Sequence, residues 1–145
     1  MVGLFVRFKQ NFGDEIFMWT RCFLTIAPIL AAISVAAGAF ASHALKAKLD
    51  TYALDIWETG AKYQMYHAIA LLFVGLLALQ ESMPQAWLNA AGIGFIVGTV
   101  LFSGSLYTLS LSGVKILGAI TPLGGVGFLI GWICLAIAGW SQVSS

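Results

Sequence analysis

Four stretches of this chain, residues 22–42, 63–80, 82–114 and 116–145, contain no Asp, Glu, Lys or Arg. About 20 apolar residues carry a helix across the hydrocarbon core of a bilayer, where the backbone has to satisfy its own hydrogen bonds. A chain built almost wholly of such stretches points to helices with the membrane as their solvent. Composition agrees: 60% of the 145 residues are hydrophobic and 9% are charged, against about 25% charged in an average soluble domain. The net charge of +1 comes without any basic run, so nucleic acid is not an expected partner.

Spans are expected near 22–41, 62–80, 86–109 and 117–140. Pro84, with Glu81 and Ser82, marks the turn between the second and third, and Gly113 with Lys115 in "SLSGVK" separates the third from the fourth. The second span is the shortest, and Lys62 at its mouth is expected to reach the interface through its long side chain. Short connections make neighbours antiparallel, so the predicted fold is all-α: a polytopic membrane protein, an antiparallel bundle of four transmembrane helices. The one long connection, "SHALKAKLDTYALDIWET", sets Lys46, Lys48, Asp50, Asp55 and Glu58 around Leu45, Leu49, Leu54 and Trp57. It reads as a short amphipathic helix lying at the interface between spans one and two.

The transmembrane domain is thus placed at 21–142, behind an N-terminal extension at 1–20. The Phe5, Phe8, Phe12 and Phe17 side chains of that extension, set among Arg7, Lys9, Asp14 and Glu15, fit an interfacial helix, while Met18 offers an alternative start. Positive charge does not fix the orientation: Arg7, Lys9 and Arg21 stand on one side, Lys46, Lys48, Lys62 and Lys115 on the other.

Small residues recur at helical spacing on two spans. Ala27, Ala31, Ser34, Gly38 and Ala41 form one stripe, and Gly124, Gly127, Gly131, Cys134 and Ala138 form the other. Between helices in lipid there is little hydrophobic force, so close backbone approach along small stripes is the common packing device. Both stripes are predicted seams. Cys22 and Cys134 lie in apolar runs without metal-ligand or redox spacing and read as packing residues.

Polar residues gather toward one end of the predicted spans. His43, Trp57, Glu58, Tyr63, Gln64 and His67 fall there from the first connection and span two, Ser103, Ser105 and Tyr107 from span three, and Thr121 from span four. Gly60, Tyr63, Gln64, His67 and Leu71 share a helical face, as do Thr99, Ser103, Tyr107 and Ser110. A polar group left unsatisfied in hydrocarbon costs several kcal/mol, so His67 is expected to face inward with partners. Three readings follow. Neutral His67 pairs with the hydroxyl of Ser103, Ser105 or Tyr107 and clasps span two to span three; or the cluster is a small binding or proton-transfer site; or His43 and His67 together ligate haem or a metal. Glu58 lies out of phase with His67 on an unbroken helix and would need a break near Gly60 to reach it.

The segments "GAFASHAL", "WETGAKYQMYHAIALL", "LFSGSLYTLSL" and "LGAITPLGGVGFLIGW" resemble, in this order, the signature segments of the YgdD-like family, also called domain of unknown function four-two-three. The resemblance covers roughly residues 18–140 and implies a small four-helix protein of the bacterial inner (plasma) membrane, with no enzymatic activity and no cofactor to carry over. Where members often read G-A-F-G-A-H, this chain has Ala41 and Ser42 before His43. Two functions stay open. One is a non-enzymatic accessory or assembly subunit, with the bilayer and a larger membrane complex, or further copies of itself, as partners. The other is a small transporter, channel or proton-handling protein that uses His67, Tyr63 and Ser103.

Overall fold

The computed structural model describes residues 2–143, with side chains over 18–142. Helix α1 spans Val2–Phe40, α2 Thr51–Leu77, α3 Gln85–Ser112 and α4 Thr121–Val143. A π-helical turn at Ala41–Leu45 follows α1, and a 3-10 turn at Lys115–Ala119 precedes α4. The expected extension at 1–20 has the side chains of residues 1–17 outside the described ones.

Local chemistry sets the helix ends. Asp50 caps α2, its Oδ1 accepting the Ala53 N–H at 2.7 Å. At the end of α3, Gly113 takes φ 70°, a left-handed conformation that a residue without Cβ adopts freely, and its N–H returns to the Leu109 carbonyl at 2.8 Å. Pro84 stands immediately before α3, where its missing N–H costs nothing.

Consecutive helices pack antiparallel. Between α1 and α2, Leu30 meets Gln64, Ser34 meets Ala61 and Ala37 meets Trp57, so position rises on one helix as it falls on the other. Ser110 with Ala53 and Ser103 with Gly60 repeat the pattern between α2 and α3. The α3–α4 seam runs through glycine: a Cβ on Gly127 would stand 3.1 Å from the Gly98 Cα, and one on Gly124 would stand 2.3 Å from the Phe102 backbone nitrogen. Gly131 lies against the Phe95 ring, and Phe128 lies over Gly98. In the other half of the molecule, Phe23 fills the space beside Gly92, and Leu71, Val74, Leu88, Ala91 and Phe95 close an apolar core around it.

Three expectations are corrected. The four helices do not close into a bundle: α1 packs on α2, α2 on α3 and α3 on α4, and among the described residues no extended seam joins α1 or α2 to α4. Lipid tails are as apolar as the faces left open, so nothing forces closure. Next, the amphipathic segment is not a separate interfacial helix. From Thr51 onward it is the beginning of α2, and its apolar side faces protein, with Trp57, Leu49 and Leu54 packing with Ala41, Leu45 and Tyr107 in a second cluster. Finally, Gly38 is not part of a tight seam, because a Cβ there would meet nothing within 4 Å.

Among the described residues, three helical segments are long and apolar enough to cross a membrane: Met18–Leu45, Gln85–Ser112 and Lys115–Gln142. Helix α2 falls outside this group, since Lys62, Gln64 and His67 interrupt its apolar run.

Candidate functional site

The polar residues that the sequence gathers at one end separate into two sets, which lean toward different neighbours of α2. Toward α1, Gln64 is the hub. Its Nε2 donates to the Leu30 carbonyl at 2.8 Å and its Oε1 accepts the Tyr107 hydroxyl at 3.0 Å, tying three helices through one buried amide. Beside it, the Ser34 hydroxyl donates to the Ala61 carbonyl at 2.7 Å and the Trp57 indole N–H to the Ala37 carbonyl at 2.9 Å. Toward α3, the Ser103 hydroxyl donates to the Gly60 carbonyl at 2.8 Å and that of Ser110 to the Ala53 carbonyl at 2.7 Å. Gly60 permits this approach, because a Cβ there would press on the Tyr107 ring at 3.1 Å.

The second set surrounds His67. Its Nδ1 lies 2.8 Å from the Tyr63 carbonyl, which can only accept, so Nδ1 carries the proton. The lone pair on Nε2 then receives the Trp132 indole N–H at 3.2 Å, from α4. Both ring nitrogens are satisfied in the neutral form. Phe128 stacks on the imidazole with centroids 3.4 Å apart and planes within 6°, while Phe95 and Tyr63 stand at 5.6 and 6.2 Å. These aromatics bridge the gap that α2 and α4 leave between their backbones. On the outer side the gap is a groove of about 470 Å3, lined by Tyr63, His67, Phe102, Pro122, Phe128 and Trp132.

The expected clasp of His67 onto α3 is therefore corrected: its partners are the Tyr63 carbonyl and Trp132 of α4. The hydroxyls proposed for it are engaged elsewhere: Ser103 with Gly60, Tyr107 with Gln64, and Ser105 with Thr121 across α3 and α4 at 2.8 Å. Glu58 is exposed on an unbroken α2, Lys62 is exposed, and His43 is exposed on the π-helical turn. His43 and His67 therefore share no environment, and a ligand at His67 Nε2 would have to displace Trp132. Among the described residues no group of three or more His, Cys, Asp or Glu could hold a metal ion. Thr99 is buried with its hydroxyl unpartnered. Of the residues around His67, the sequence reading missed Trp132. Its signal was available: an indole N–H inside a charge-free run needs an acceptor, and Phe128 and Trp132 are four apart on one face of α4.

A family model described as "Protein of unknown function (DUF423)" matches residues 37–125. The chain is 45% identical over 118 residues to the UPF0382 membrane protein YwdK of Bacillus subtilis, covering 81% of this chain and 95% of that protein. It is 46% identical over the same length to the UPF0382 membrane protein SERP0230 of Staphylococcus epidermidis, and 43% to SAB0533 of Staphylococcus aureus, covering 94% of each. The chain belongs to the DUF423 family. Like these bacterial relatives it is a membrane protein, and its apolar helices suit that solvent. No solved structure matches it. The DUF423 match takes in Trp57, Gln64, His67, Ser103, Tyr107 and Thr121, whereas Phe128 and Trp132, which complete the surroundings of His67, lie beyond its end.

Proposed function

We propose that this DUF423 protein is a non-enzymatic accessory or assembly subunit of a larger complex in the bacterial inner membrane, crossing the bilayer four times with α2 as the additional crossing. One observation carries the reading: the outer helices are open. Only 22% of the apolar window of α1 and 22% of that of α4 is buried, against 44% for α3, because each outer helix has a single seam. Two long apolar faces are thus left for lipid or for foreign helices. The inward polar groups are spent on holding helices together, which supports a scaffold over a reaction site. The same spending weakens the alternative of a transporter or proton-handling protein, since Ser103 serves Gly60 and His67 serves Trp132. In support of the α2 crossing, its interior-facing Gln64 and His67 both have partners, which removes the main cost of placing them at membrane depth.

Photo-crosslinking in intact membranes tests the proposal, with the reactive side chain placed at Val35 on α1, Ile133 on α4 or Val100 on α3, all exposed. The expected result is one heterologous membrane protein captured at high yield from Val35 or Ile133. Adducts with the protein's own copies alone, or equal weak yields from all three sites, would refute it.

A further inference from the structure

At the end of the molecule where α2 begins and α3 finishes there is a second groove, of about 610 Å3, within the range of small-ligand sites. Its walls carry one charge of each sign. Asp50 stands on the α2 side, and Lys115 on the chain that Gly113 turns out of α3. Among the described residues no other charged side chain lines the groove, and no ion pair joins these two. The Asp50 carboxylate is held in place through Oδ1, which accepts the Ala53 N–H at 2.7 Å, and this leaves Oδ2 for another donor. The groove is also lined by Tyr52, Ile56 and Leu109, and the Ser110 hydroxyl there is already given to the Ala53 carbonyl.

A ligand complementary to this groove carries a cation and an anion a short distance apart. An anion alone would meet Asp50 unpaired, and a cation alone would leave Lys115 so. Position adds a further requirement. Lys115 stands between two charge-free stretches, at the junction of the candidate spans Gln85–Ser112 and Lys115–Gln142, and is flanked by exposed Leu111, Val114 and Ile116, of which Ile116 is 75% exposed. Such a ligand has acyl chains to lay against those side chains. We propose that this groove binds a zwitterionic aminophospholipid, its primary ammonium on the Asp50 carboxylate, its phosphate on Lys115 and its chains along Leu111 and Ile116. Charge-assisted hydrogen bonds at both ends set the preference for this headgroup over a purely anionic one. The site is independent of what docks on the outer helices.

The test uses the full chain in detergent, followed by thermal melting and native mass spectrometry. Three additives are compared: phosphatidylethanolamine, phosphatidylglycerol with the same chains, and soluble glycerophosphoethanolamine. Phosphatidylethanolamine is expected to be retained and to raise the melting temperature more than phosphatidylglycerol does. Asp50→Asn keeps an equally good helix cap, so the lipid-free melting temperature should hold while affinity for phosphatidylethanolamine falls about tenfold or more. Lys115→Gln, at an exposed position, should weaken both phospholipids. Equal binding of the two lipids by the wild type, or an undiminished preference in Asp50→Asn, would overturn the proposal. Stabilisation by the soluble headgroup as strong as by the lipid would overturn the assignment to a lipid.

Discussion

Two adjacent glycines on α4 separate the effect of close packing from that of helix propensity. A Cβ on Gly124 would lie 2.3 Å from the Phe102 nitrogen, 2.7 Å from its Cβ and 2.8 Å from its Cα. Two of these are backbone atoms inside α3 and cannot turn aside, so the α3–α4 seam has to open. At Gly125, one residue on, a Cβ meets nothing within 4 Å. Replacing glycine with alanine inside a helix gains about 1 kcal/mol from propensity at either site. Only at Gly124 is there an opposing cost, about 1 to 3 kcal/mol for overpacking and more where backbone must move. Gly125→Ala should therefore be neutral or stabilising by up to about 1 kcal/mol, and Gly124→Ala destabilising by up to about 2 kcal/mol net, so neighbouring substitutions are expected to differ in sign. Reversible unfolding by titrated denaturing detergent, read by circular dichroism, measures both. Equal shifts, or a greater loss at Gly125, would refute the glycine-mediated α3–α4 contact.

At His67, an amide can still accept the Trp132 N–H although it loses the stack on Phe128, whereas leucine leaves the indole unpaired at a cost of about 1 to 3 kcal/mol. His67→Gln should accordingly melt above His67→Leu in detergent, and equal losses would count against the hydrogen bond. Gln64→Leu breaks two interhelical bonds, worth about 0.6 kcal/mol each by the membrane average. It should lower stability by about 1 kcal/mol, and Tyr107→Phe in the same background should add little beyond its ring-packing effect. For the proposed four crossings, impermeant thiol labelling in oriented vesicles should find the two chain ends on one side and a cysteine at Asp50 on the other; Asp50 on the same side as the ends would reject them.

Much of the fold is visible in the sequence because its signals are local. Pro84 and Gly113 end or begin helices through their own backbone chemistry, and Gly124, Gly127 and Gly131 recur on one side of α4 without reference to any neighbour. What the sequence conceals is which neighbour a face meets. Gln64 and His67 are three apart on α2 and share a face by spacing, yet one reaches the adjacent α1 and the other reaches across the gap between backbones to Trp132 of α4. The amphipathic stretch around Trp57 is likewise ambiguous. An apolar side suits a headgroup boundary or a protein surface equally, and contacts such as the Tyr107 ring, 4.6 Å from Trp57, and the Ala37 carbonyl decide for protein. Gly38 fits the small-residue stripe of α1 by spacing alone, but the neighbouring helix does not approach it.

Five of the interhelical bonds share one feature that accounts for this partial legibility. Ser34, Trp57, Gln64, Ser103 and Ser110 all donate to main-chain carbonyls of an adjacent helix. A helical carbonyl already accepts the N–H four residues further on and has a second lone pair to offer, so the acceptor can sit under any residue type. Ala37, Ala53, Gly60 and Ala61 consequently carry no side-chain mark of their role. These bonds nevertheless fix register, because a slip of one residue would move each donor away from its carbonyl. They lie in the half of the molecule where α2 begins, while the other half is held by Phe23, Leu71, Val74 and Leu88, whose contacts have no directional requirement. The hydrogen-bonded half thus sets the vertical offset of α1, α2 and α3. The groove between Asp50 and Lys115 opens at that same end, where α2 and α3 are pinned to each other by Ser110 and Ala53. The α2 and α3 walls of that groove are therefore set against each other by this bond rather than by the packing of the apolar half.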